Sequence, residues 1–164
     1  MGRTDEAALL VHAPAARVWA ACTDPRQLEL WLPPAAMTAT VEHFDARPGG
    51  TYRMVLTYPP DAAGAGKSSA ATDVVEGRFL DLVPPHRLVQ AVDFESADPD
   101  FAGTMVMTWE LIPRGEATLV VFRAQDVPPG IAAVDHAQGL TESLVGLARH
   151  LSDNDGKPDD RPVH

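Results

Sequence analysis

The sequence predicts an α+β domain in which a curved antiparallel sheet wraps around one long C-terminal helix. Two short helices follow the first strand. Three observations predict this. Leu140, Leu144, Leu147 and Leu151 form an apolar stripe at helical spacing near the end of the chain. Pro14 and Pro25 stand near the beginning, at places that suit the first turn of a helix. Between these ends, apolar and alternating runs are separated by Pro- and Gly-rich turns at hairpin spacing. Strands in succession, with helices kept to the two ends, are the pattern of segregated α+β architecture.

The elements follow in order. Residues 6–12 read as the first strand. After Pro14, Val18, Trp19 and Cys22 fall on one side of a helix. Thr23 or Asp24 is placed to cap a second helix begun by Pro25, with Leu28, Leu30 and Trp31 as its apolar side and Pro33-Pro34 as its stop. Residues 37–44 read as a strand, Pro48-Gly49-Gly50 as a turn, and 51–58 as the next strand. Residues 59–73 have no periodicity and are expected to be a flexible hairpin loop. Strands are expected at 74–83, 87–94, 103–112 and 117–125, and a helix at 131–151. Residues 1–151 then make one domain, and the polar segment 152–164 is expected to be a disordered tail.

Bulk properties narrow the function. The chain has 164 residues, 45% of them hydrophobic and 22% charged, as soluble globular proteins do. Its net charge of −10 argues against nucleic acid and anionic membrane as partners, which need a basic face. No apolar run reaches bilayer length. The first residues, Met1-Gly2-Arg3-Thr4-Asp5-Glu6, carry no secretory pattern, and Glu6 breaks a myristoylation motif. Cys22 is the lone cysteine, so no internal disulfide forms and a cytoplasmic location is expected.

Four stretches resemble a known family. Val18-Trp19, Thr23-Asp24-Pro25, Trp31 and Pro33 resemble its two-helix entry. Pro48-Gly49-Gly50-Thr51-Tyr52-Arg53 is similar to its glycine turn and following strand. The run from Gly77-Arg78-Phe79 through Pro84-Pro85 to Leu88-Val89 resembles its strand–Pro-Pro–strand hairpin. Gly139-Leu140, Ser143-Leu144, Leu147-Ala148 and Leu151 resemble its closing helix. The family is the SRPBCC or START-like superfamily, with the helix-grip (START/Bet v-like) fold. The branch is the one related to the C-terminal domain of the heat-shock-protein-90 ATPase activator. The resemblance implies a cavity between helix and sheet, with Trp31 at its mouth. Two positions depart from the pattern. Leu140 stands where the family often has Trp, and Ala124 where it often has His. Both tend to border the family's cavity, so a roomier and less polar cavity is expected.

Strand 103–112 alternates: Met105, Met107, Trp109 and Leu111 share one face, and Thr104, Thr108 and Glu110 the other. Two flexible Met beside a Trp line either a packed core or a cavity for an aromatic or polycyclic ligand. Tyr52, Met54 and Leu56 share a face, as do Val75, Gly77 and Phe79, and Val120 with Phe122. Gly77 is expected to permit a bulge or bend. Gly139 costs its helix about 1 kcal/mol relative to Ala, which either tight packing or room for a ligand would explain. Trp31 either caps a ligand by stacking or plugs the core. The candidate ligand-binding residues are therefore Trp31, Tyr52, Met54, Phe79, Met105, Met107, Trp109, Phe122, Leu140 and Leu144.

Candidates for chemistry are fewer. Arg53 would bind a carboxylate or phenolate oxygen if it faced inward, but Tyr52, Met54 and Leu56 claim that face, so exposure is expected. His12, His43, His86, His136, His150 and His164 show no zinc-helix spacing; His136 opens the long helix and either reaches the cavity or, as expected, is a partly exposed surface histidine. Glu42 and His43 are adjacent on a strand and face opposite sides. Gly66-Lys67-Ser68 imitates a phosphate loop, but Asp61 occupies the required first glycine's place. Cys22 reads as a buried structural thiol. No catalytic residue, metal or cofactor is assigned.

The reading that follows is a small cytoplasmic START-like domain holding an apolar, aromatic or polycyclic molecule. The resemblance leaves three alternatives: an enzyme of the polyketide cyclase or aromatase kind using Arg53, Tyr52 and His136, self-resistance by sequestering a natural product, and a chaperone-activator-like interaction. The last is disfavoured, because the extra N-terminal domain that the activator uses has no counterpart in the sequence.

Overall fold

The computed structural model describes residues 2–33, 37–59, 71–94 and 96–155. Seven strands form one antiparallel sheet: β1 (Arg3–Val11), β2 (Thr38–Phe44), β3 (Thr51–Thr57), β4 (Thr72–Val83), β5 (Arg87–Phe94), β6 (Met105–Arg114) and β7 (Ala117–Val127). Their order across the sheet is β1-β7-β6-β5-β4-β3-β2. Every neighbour after β1 is thus a sequential hairpin, and β1 closes the far side against the last strand. Helices α1 (Ala15–Thr23) and α2 (Pro25–Trp31) carry the chain from β1 at one edge to β2 at the other. Helix α3 (Ala133–Asp155) lies on the inner face.

Local chemistry explains the element boundaries. Pro25 opens α2 and the Asp24 carboxylate accepts the Arg26 N–H at 3.0 Å, so one residue ends α1 and caps α2. Gly115 turns the β6–β7 hairpin at φ 64°, a conformation glycine adopts without steric penalty. Ladder irregularities fall between Val41 and His43 and between Phe79 and Asp81, where an extra residue bends each strand.

The two faces of the sheet differ as the alternation requires. Inside, Val11, Phe79, Leu88, Trp109, Leu111 and Val120 meet Leu140, Leu144, Leu147 and Leu151 of α3, all of them buried. Outside, charged side chains link strands: Arg53 pairs with Glu42 (2.6 Å) and Glu76 (2.5 Å), and Arg123 with Glu6 (2.6 Å) and Glu110 (3.1 Å). Exposed pairs of this kind contribute about 0–1 kcal/mol each, so the inner face carries the stability.

Several boundaries depart from the sequence reading: β1 ends at Val11, β6 runs from Met105 to Arg114 rather than over 103–112, β7 extends to Val127 and α3 starts at Ala133. Thr72 and Asp73 belong to β4 rather than to the preceding loop. Arg3, Thr4 and Asp5 belong to β1. Helix α3 runs past Leu151 to Asp155. Most of the expected loop, including Gly66-Lys67-Ser68, and most of the expected tail lie outside the described residues.

Candidate ligand cavity

A cavity of about 290 Å³ lies between the N-terminal half of α3 and the sheet. It has room for roughly ten waters at their bulk share of about 30 Å³ each, near the lower bound of small-molecule sites. A wider depression of about 780 Å³ lies between α2 and α3, but it is an external groove edged by Gln138, Glu142 and Arg149.

The sheet supplies most of the cavity wall. Tyr52, Met54 and Leu56 come from β3, Val75 from β4, Met105, Met107 and Trp109 from β6, and Phe122 from β7. Trp109 and Phe122 are register partners and stack at 3.6 Å with 16° between their planes. Trp31 closes the end beside α2. Its indole N–H donates to the Ala21 carbonyl at 2.9 Å, and its ring meets Trp109 edge-on at 5.7 Å. That hydrogen bond anchors the indole, and Trp31 is buried where it lines the cavity. Leu140 of α3 lines the opposite side.

Of the ten residues singled out from sequence, Phe79 and Leu144 do not reach the cavity surface. Phe79 is fully buried against Phe44 (5.2 Å) and Tyr52 (5.3 Å), and Leu144 is fully buried beneath α3. Period-2 and helical patterns identify an inner face but do not separate residues that border space from residues that border each other. Ala124, expected at the cavity, is also fully buried away from its surface, paired in register with Asp5 and Met107.

Two glycines receive their explanation here. A Cβ on Gly77 would fall 2.2 Å from the Tyr52 ring, its register partner. Gly77 therefore makes room for an aromatic ring; the expected bend lies further along β4, between Phe79 and Asp81. A Cβ on Gly139 would meet nothing within 4 Å. Of the two readings of Gly139, the structure selects open space.

The wall carries more polar groups than expected. His136, read either as a partly exposed histidine or as one reaching the cavity, is both: it is partly exposed and borders the cavity, and its Nδ1 lies 2.7 Å from Asp5 Oδ2. Asp5 is buried and also accepts from the Arg3 guanidinium at 3.1 Å, while Arg3 donates to the Ile131 carbonyl. Burial alone would raise the Asp5 pKa; the hydrogen bonds and charges of Arg3 and His136 together outweigh it and hold the carboxyl below its ordinary value. The Tyr58 hydroxyl donates to Asp73 Oδ2 at 2.7 Å, and burial followed by that hydrogen bond raises the phenol pKa. Gln90 and Ser143 complete the polar lining, Ser143 donating to the Gly139 carbonyl at 3.1 Å. Asp5 and Asp73 were missed because the strand and loop boundaries were drawn next to them. Gln90 sits in an expected strand, and its placement opposite Met107 was the available signal. Arg53 lies on the outer face, as expected. Burial pushes the Cys22 thiol up to about 12, leaving it un-ionised at neutral pH.

A curved antiparallel sheet gripping a C-terminal helix, with a side cavity between them, defines a helix-grip domain of the START-like SRPBCC class, whose members generally bind ligands. The sequence model for the family described as "Activator of Hsp90 ATPase homolog 1-like protein" matches residues 12–152, and the chain belongs to that family. Solved structures agree in fold. A Chromobacterium violaceum protein aligns with TM-score 0.78 at 29% identity, covering 89% of this chain and 94% of that one. A Rhodobacter sphaeroides protein aligns with TM-score 0.76 at 24% identity, covering 93% and 95%. DynU16, a protein in the dynemicin biosynthetic locus, aligns with TM-score 0.65 at 22% identity, covering 94% of this chain and 48% of DynU16. No curated protein matches. Among the described residues, no helix is long and apolar enough to cross a membrane.

Proposed function

We propose that this chain is a small cytoplasmic binding domain that holds an apolar, aromatic or polycyclic molecule in the cavity under α3. The observation that carries the reading is Gly139: a helix gives up about 1 kcal/mol of propensity at a residue that borders the cavity and where a Cβ would meet nothing within 4 Å. The apolar wall of Met105, Met107, Trp109 and Phe122 supports an aromatic ligand, because flexible thioethers and a stacked ring pair adapt to a flat surface. The acidic net charge speaks against nucleic-acid or anionic-membrane partners. Native mass spectrometry of protein purified without denaturation, together with tryptophan-fluorescence titration against a polycyclic panel, tests the reading. A co-purified mass or saturable quenching is the expected result. Absence of both across the panel contradicts it.

A second reading, a polyketide cyclase-like enzyme, is favoured by the His136–Asp5 pair at the cavity edge, an arrangement that orients one ring nitrogen and leaves the other for proton transfer. The likeness to DynU16 lends it fold-level support only. Sequestration of a natural product is the same binding without turnover. Product formation from an aromatic polyketide, abolished by His136→Ala with binding retained, separates the enzyme from the sequestering protein.

A further inference from the structure

We infer that the Gln90 side-chain amide is the hydrogen-bonding anchor of the cavity, and that it selects apolar, uncharged ligands bearing a carbonyl or hydroxyl group. This rests on the binding reading above and specifies the ligand. Gln90 lies mid-strand on β5, in register with Met107 on one side and Phe79 on the other, so its side chain shares their inner face. It is 9% exposed and borders the cavity. Its amide has no hydrogen-bond partner among the described residues. The other polar groups of the wall are largely committed: Tyr58 to Asp73, His136 to Asp5, Ser143 to a backbone carbonyl. No buried side-chain nitrogen or oxygen among the described residues lacks a partner, so the Gln90 amide is not sealed in protein but opens to the cavity, where its donor and acceptor are available to whatever enters. The Tyr52 hydroxyl lies over Gly77 on the adjoining strand, also with no partner among the described residues; burial raises its pKa, and so keeps it a neutral donor.

Charge fixes the other half of the inference. Among the described lining residues there is no Lys or Arg, while Asp73 contributes a carboxylate. A carboxylate ligand would be desolvated with no cation to pair with, and would face that like charge. A neutral oxygen function avoids both penalties and satisfies an amide, which both donates and accepts.

Three probes with one ring system test this by isothermal titration calorimetry: naphthalene, 2-naphthol and 2-naphthoate. Wild-type protein should bind 2-naphthol about 5- to 10-fold more tightly than naphthalene, the range of one net hydrogen bond. It should bind 2-naphthoate at least about tenfold more weakly than naphthalene. In Gln90→Met the 2-naphthol preference should fall to about onefold while naphthalene affinity holds. In wild-type protein, independently of any variant, the Gln90 side-chain amide NMR signals should shift with 2-naphthol and not with naphthalene. Naphthalene binding with no preference for 2-naphthol, a preference that survives Gln90→Met, or 2-naphthoate binding as tightly as naphthalene would overturn the inference and leave the binding reading standing. Failure of naphthalene and 2-naphthol alike to bind wild-type protein overturns both.

Discussion

The two halves of α3 carry the same kind of residue to opposite ends. In the C-terminal half, Leu144, Leu147 and Leu151 are each at most 2% exposed, His150 Nε2 lies 2.9 Å from Gln27 Oε1 of α2, and a Cβ on Gly146 would fall 2.6 Å from the Trp31 carbonyl oxygen. In the N-terminal half, Gly139 faces open space, and His136 reaches across to Asp5 at the cavity's edge. One glycine lets a helix come close and the other keeps a cavity free. Each has the same local disadvantage of about 1 kcal/mol relative to Ala, so local propensity does not distinguish them. What lies opposite does.

Paired alanine substitutions break the comparison most sharply. Gly146→Ala forces a methyl against backbone that does not yield, and should lower stability by about 2 kcal/mol after the gain in helix propensity. Gly139→Ala adds the same methyl to empty space and should raise stability by about 1 kcal/mol. Urea denaturation of both variants reads this difference in sign; two changes of the same sign would erase the distinction. Next in size, Gly139→Leu should fill the cavity and weaken naphthalene binding at least about tenfold, or about 1.4 kcal/mol, while the fold stays at least as stable as wild type. Retained affinity would place the ligand elsewhere.

The smallest effect concerns what holds the open half in place. The pKa of Asp5 is lowered in the folded state, so its contribution is present above the ordinary carboxylate value of about 3.9 and lost as pH falls through the lower folded value. Thermal melts of wild type should therefore lose stability between about pH 4 and the acid limit. Asp5→Asn should be less stable at neutral pH and show a shallower acid loss. An unchanged pH slope would show that the Asp5–His136 link is not what ties β1 to α3.

Most of the fold was legible because it is written in short-range periodicity. The strand at Met105 and the leucine stripe of α3 each name their inner face directly. The cavity was legible only in part. Eight of the ten residues chosen from sequence reach its surface, since all belong to inner faces, but pattern alone does not tell Phe79, buried on aromatic rings, from Met107, bordering space. The polar wall was least legible. Asp73 of the wall, and Asp5 that holds the wall's His136, lie near the starts of their strands, where boundaries read from sequence slip by a few residues, and their partners Tyr58 and His136 are across a loop or distant. Gly146 passed unremarked because its constraint is the backbone of Trp31, a contact between α2 and α3 that no local pattern encodes.

The central claim is that α3 stands away from the sheet at Gly139 and is packed tight at Gly146. Xenon-pressurised crystals test it directly, because xenon enters apolar space and scatters strongly. The predicted result is a xenon peak among Gly139, Met107 and Trp109, with none at the Gly146–Trp31 contact. Side chains closed over Gly139, with no xenon beneath the helix, would contradict it.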